Sequence, residues 1–213
     1  MNITNSNSVF SLAVLIASLL TSTSSLATEN TFPINLLERI DIRGVVTRQS
    51  QSNKEIPFQT KLRIDSESWY GLFVSTLFVH ELTFVDSNKF NMIQFHSQIG
   101  AKYQTASGNV GLRAGIYSGR EYMYLTSGTR LETNDVGISG SIFGEYKISD
   151  TLWLHASAEP ESWLKGLNAD VIAGIRYQLS ESFQAGALVS LEFRDLKMSD
   201  YQYGAGVSLS YRF

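Results

Sequence analysis

Residues 201–213 read YQYGAGVSLSYRF. In an extended strand, successive side chains point to opposite faces. Tyr201, Tyr203, Ala205, Val207, Leu209, Tyr211 and Phe213 therefore share one side, and Gln202, Gly204, Gly206, Ser208, Ser210 and Arg212 share the other. The alternation runs to the final residue, which is aromatic. Chain ends in water usually fray, so an apolar stripe kept to the last position points to a strand with lipid on one side and a polar lumen on the other.

This stretch resembles the closing strand of bacterial outer-membrane β-barrels, which typically end in Phe behind alternating apolar residues. The resemblance implies an all-β fold, a transmembrane antiparallel up-and-down β-barrel. It also implies that Tyr211 and Phe213 form part of the signal read by the barrel assembly machinery, with periplasmic chaperones on the way and outer-membrane lipids and lipopolysaccharide around the folded wall. It extends to the superfamily and to no subfamily.

The rest of the chain is read beside that strand. The net charge of −3 gives no electrostatic case for nucleic acid. Tyr and Phe are plentiful (10 and 12), Gly numbers 16 and Pro only 3, which favours strands over helices. With no Cys, disulfides, thiolate catalysis and Cys-ligated metal are excluded. Residues 9–20 (VFSLAVLIASLL) are the only long apolar run. It falls short of the ~20 residues a membrane-spanning helix needs. With the small residues Ser25 and Ala27 flanking Leu26, it reads as a signal peptide over 1–27 and a mature barrel over 28–213, although residues 1–8 lack the usual Lys or Arg.

Alternating segments near 38–48, 58–65, 69–82, 90–104, 110–120, 136–148, 152–159, 169–179, 183–194 and 201–213 predict about ten strands, or eight if the first hairpin folds differently. Short Ser/Asp/Glu turns at 64–69, 105–109, 148–152 and 179–183 alternate with longer charged connections at 48–57, 83–89, 118–135, 160–168 and 195–200. Short turns on the periplasmic side and long loops outside are the expected arrangement. Tyr103, Tyr146, Trp153, Tyr177, Phe183 and Phe213 are expected in one interfacial girdle, and Phe58, Phe78, Phe193 and Tyr201 in the other.

The opposite face carries Arg39, Asp41, Arg43, Lys61, Arg63, Asp65, Lys102, Arg113, Glu145, Asp170, Arg176, Glu192 and Arg212. A barrel of this size is hardly wider than its own side chains. Mixed signs at these positions therefore predict a lumen filled by an ion-pair network. On this basis the protein is a monomeric envelope-structural or surface-interaction barrel without a cofactor, acting through its loops, chiefly 118–135 with Arg120, Arg130, Glu132 and Asp135. The alternative is a narrow porin-like channel, for which the cation-rich group Arg39, Arg43, Lys61 and Arg63 would favour anions.

A third class is a lipid-modifying enzyme. His155, Ser157 and Glu159 share one face of a strand, and a His two residues from a Ser can activate it. In part this resembles the outer-membrane lipid A deacylases, which use Ser, His and Glu on a small barrel. Against it, the alternation places His155 and Ser157 in the lumen, and the wider motif of those enzymes is not evident. The plainer expectation is a lumen histidine hydrogen-bonded to a neighbour. His80 and Glu81 are adjacent, so they point to opposite faces and do not make a metal site. Trp163 is expected to be exposed in a long loop.

Overall fold

A strand that is apolar on one face and polar on the other can sit in hydrocarbon only if its backbone groups are paired on both edges, which requires a closed sheet. In the computed structural model this closure is complete. It describes residues 37–49, 57–85, 88–163, 166–193 and 201–213. The expected leader at 1–27, Arg194 and the connection at 195–200 lie outside the described residues, as does the side chain of Trp163.

The described residues form ten strands: β1 (Arg39–Gln49), β2 (Phe58–Asp65), β3 (Leu72–Val85), β4 (Asn88–Thr105), β5 (Gly108–Tyr124), β6 (Arg130–Lys147), β7 (Leu152–Trp163), β8 (Gly166–Gln178), β9 (Phe183–Phe193) and β10 (Tyr201–Arg212). Each pairs antiparallel with its neighbours in sequence, and β1 pairs with β10 to close the barrel. At that seam Arg39 stands opposite Arg212 and Ile40 opposite Tyr211, and the Phe213 amide donates to the Glu38 carbonyl at 3.1 Å. The outer wall carries Val74, Phe95, Ile99, Leu112, Ile116, Ile138, Ile142, Ile175, Val189 and Val207, all exposed. Arg43, Lys61, Arg63, Arg113, Glu159 and Arg176 are buried inside.

Three expectations are corrected. The third strand begins at Leu72 and not at Trp69. The chain first reverses at Tyr70 (φ 52°) and Gly71 (φ 82°), with Trp69 and Leu72 exchanging backbone hydrogen bonds of 2.8 and 2.9 Å. The run of apolar residues hid this turn, because nothing in its hydrophobicity marks where the backbone goes left-handed.

The connections at 83–89, 118–135 and 160–168 are mostly strand, so Trp163 ends β7 and does not stand in a long loop. β3 runs on to Val85, β4 starts at Asn88, and β5 and β6 extend to Tyr124 and back from Arg130. Ladder hydrogen bonding continues past the apolar band, where the outward residues turn polar and the apolar period that marks a strand disappears. At 18, 17 and 18 residues, β4, β5 and β6 are longer than the ~9–11 residues that a membrane-crossing strand needs.

Trp153 belongs to no girdle. It lies on the lumen face of β7, with the Arg212 guanidinium 5.3 Å from its ring centre.

The lumen is packed as well as charged. Phe73 on β3 lies directly opposite Gly100 on β4, and Phe143 on β6 directly opposite Gly111 on β5. A side chain at Gly100 would collide with the Phe73 ring, and one at Gly111 with the Phe143 ring. The two rings meet edge to face at 6.0 Å. The Arg113 guanidinium lies 3.8 Å from the Phe143 ring centre and 5.2 Å from that of Phe73. Each glycine thus makes room for an aromatic that plugs the barrel. Replacing Gly100 by Ala is expected to destabilise the barrel by about 1–3 kcal/mol through overpacking. Phe73→Leu in the same chain is expected to recover part of the loss, read as the urea midpoint of the refolded protein by tryptophan fluorescence.

Candidate functional site

The lumen brings distant strands together through two carboxylates. Glu145 on β6 receives Arg39 Nη1 at 2.5 Å, Arg176 Nη1 at 2.6 Å and Arg212 Nη2 at 3.4 Å. Asn109 Nδ2 adds a donor at 3.1 Å. Glu159 on β7 receives Arg63 Nη2 at 2.9 Å, Lys61 Nζ at 3.0 Å and Arg43 Nη1 at 3.5 Å. Lys61 also reaches Asp170 Oδ2 at 2.6 Å, and Arg176 Nη2 lies 3.6 Å from Asp41.

The arrangement has a direction. Arg39, Arg43, Lys61 and Arg63 stand on β1 and β2, whereas Glu145, Glu159 and Asp170 stand on β6, β7 and β8. In a ring of ten strands these walls face one another, so the pairs span the barrel and are not contacts between neighbours. The positive wall places Arg43 opposite Lys61, and the negative wall places Glu159 opposite Asp170 and Asp170 opposite Glu192. Like charges in register repel; here each wall supplies what the other needs.

The other charges named from the sequence sit by the aromatic plug. Arg113 Nη2 donates to Asp65 Oδ2 at 2.8 Å. Lys102 pairs with Glu38 and lies 5.7 Å from the Phe73 ring centre. Glu192 stands beside Asp170 at the edge of the acidic row. Tyr211 and Phe213 pack edge to face at 5.0 Å.

His155, Ser157 and Glu159 lie on the lumen face of β7, 5%, 6% and 4% exposed. Ser157 Oγ is 3.5 Å from Glu159 Oε1. Neither ring nitrogen of His155 has a hydrogen-bond partner, which corrects the expectation of a bonded neighbour. A base must reach the proton that it removes, and Glu159 is already engaged by its three cations. His96 Nε2 lies 3.3 Å from the Gln94 side-chain oxygen Oε1, with its ring 5.2 Å from that of Tyr117. Among the described residues no group of His and carboxylates is placed to hold a metal ion.

A cavity of about 40 Å³ remains between these layers, lined by Arg39, Asp41, Arg43, Glu145, His155 and Arg176 among others. A water needs ~10–15 Å³ of such space, so this cavity has room for a few waters.

Sequence periodicity found the charged residues but missed the aromatic plug. The available signal was a large inward residue opposite an inward glycine, legible only once the register is known.

The chain aligns with the translocator domain of the autotransporter NalP from Neisseria meningitidis over 97% of its own length and 98% of that chain, with a TM-score of 0.54 and 12% identity. It aligns with the outer membrane protease OmpT from Escherichia coli over 87% and 99%, with a TM-score of 0.55 and 9% identity. The fold is that of an outer-membrane β-barrel. At such identities the likeness is one of fold and carries no activity across. No family model and no curated protein matches the sequence.

In this closed ten-stranded barrel the shared carboxylates are the sensitive points. Glu159→Gln would leave Arg43, Lys61 and Arg63 short of their common partner. The expected loss is about 3–5 kcal/mol, the scale of breaking a buried pair from one side. In a double-mutant cycle, Lys61→Met combined with Glu159→Gln is expected to cost less than the sum of the single changes.

Proposed function

We propose that this chain is an integral outer-membrane barrel with a closed lumen, serving envelope structure or surface interaction through the hairpins that rise beyond the membrane. The observation that carries this is the pairing of the positive wall with the negative one across the barrel, with an aromatic plug beside it. A conducting pore needs a continuous wet path, and ion pairs that cross the lumen would obstruct one. The cations of β1 and β2 that would favour an anion are engaged by Glu145, Glu159 and Asp170.

Membrane insertion is supported by the unbroken apolar outer wall and by the closed ladder of backbone hydrogen bonds, a combination that suits hydrocarbon as solvent. The barrel would sit as a monomer, with its short turns and the Tyr211–Phe213 end in the periplasm, delivered there by the leader at 1–27 and inserted by the assembly machinery. The hairpin of β5 and β6 then stands at the cell surface, with Leu125 and Thr129 joined by a 2.9 Å backbone hydrogen bond at its tip.

Planar-bilayer recording of the refolded chain tests this. The wild type is expected to give no steady single-channel steps. Simultaneous Phe73→Ala, Arg113→Ala and Phe143→Ala is expected to open a measurable conductance in a barrel that still inserts. Steady, uniform steps from the wild type would replace the closed-lumen assignment with the narrow channel.

A further inference from the structure

The extended strands β4, β5 and β6 sort their charges by face. Their register sets the outward residues in rows, with Lys89, Tyr124 and Arg130 in the uppermost, then Asn91, Tyr122 and Glu132, then Ile93, Arg120 and Asn134. The next row down is Phe95, Ser118 and Val136, followed by Ser97, Ile116 and Ile138, where the apolar wall takes over. The grid thus stands directly on the hydrocarbon band, facing the membrane's polar layer and not the lumen. On the inner face of the same strands are Glu121 and Asp135. A chain with a net charge of −3 therefore presents Lys89, Arg120 and Arg130 against Glu132 alone in this outward grid.

The cations are held ready and remain accessible. Arg130 lies 4.3 Å from the Tyr122 ring centre and pairs with Glu132 at 2.9 Å, and Arg120 is 3.8 Å from the same carboxylate. The Arg120 and Arg130 side chains are nonetheless 63% and 49% exposed. One carboxylate shared by two guanidiniums leaves further N–H donors of each directed outward. With strands ~4.8 Å apart, Lys89 and Arg130 stand roughly 10 Å apart along their shared row, whereas the Arg120 and Arg130 guanidiniums converge on the one Glu132 carboxylate. That spacing suits a headgroup carrying more than one phosphate. Guanidinium binds phosphate through paired, charge-assisted hydrogen bonds, and tyrosines at this height mark the boundary between hydrocarbon and polar layer.

We propose that the outward face of β4–β6, with Lys89, Arg120 and Arg130 set around Tyr122, binds the phosphates of a phosphorylated glycolipid of the outer leaflet, whose acyl chains lie along the wall below. This rests on the membrane assignment made above. The lipid, and not a soluble phosphate, is the ligand, because the cations sit where the apolar wall ends and both parts of such a molecule are met at once.

The full chain, refolded in detergent, would be titrated with diphosphoryl lipid A, with phosphatidylethanolamine and with inorganic pyrophosphate, and bound lipid read by native mass spectrometry. The wild type is expected to hold diphosphoryl lipid A roughly tenfold or more tighter than phosphatidylethanolamine. The triple variant Lys89→Gln, Arg120→Gln, Arg130→Gln is expected to lose that preference while keeping the heat-dependent gel migration of a folded barrel. Equal retention of the two lipids by the wild type, an unchanged preference in the folded triple variant, or pyrophosphate binding as tightly as the lipid would overturn the proposal. A chain that dissolves as a monomer without detergent would instead remove the membrane assignment on which it rests. Because Arg120 and Arg130 are exposed and Lys89 is half-buried on the outward face, the variant is expected to fold. Should it not, Arg120→Gln alone carries the same comparison.

Discussion

The structure depends on charge meeting charge across the barrel axis. A carboxylate or guanidinium drawn into a narrow lumen loses most of its water, and only a close partner of opposite sign can offset that loss. Glu145 and Glu159 do this for several cations each, reaching from one side of the ring to the other. The diameter, the register of β1 against β10 and the filled interior all have to agree with those contacts. An ordinary soluble core satisfies its packing with apolar side chains that tolerate some rearrangement; here the fit is set by hydrogen-bonding distances.

Much of this architecture is readable in the chain because a two-sided strand exposes its geometry through its chemistry. Ile138, Ile142 and Tyr146 alternate with Ser139, Ser141 and Glu145, and the period of two assigns every side chain a face without further information. Where the outward residues change from apolar to polar, that signal stops although the strand does not. For this reason residues 118–135 read as a loop and stand as a hairpin. The turn at Tyr70 and Gly71 was hidden for the opposite reason, since apolar residues continue straight through it.

The site was legible to the same depth. Which residues face inward follows from parity alone, so the ionic residues of the lumen can be named from the sequence. Which of them meet cannot, because pairs such as Lys61 with Asp170 join strands that are remote in sequence and adjoin only after closure. The aromatic plug is a similar case. Phe73 and Phe143 read as ordinary strand residues until their glycine partners are found opposite them.

The seam between β1 and β10 sets Arg39 directly against Arg212, and the carboxylate serving both belongs to β6 on the far side. Taken alone, the first and last strands repel one another at this point. Asp41 on the same strand and Ser210 across the seam, at 2.9 and 2.8 Å from Arg39, offset part of that repulsion, and Glu145 supplies the rest from the opposite wall. The closing seam is in this way tied electrostatically to the strand that lies diametrically across from it.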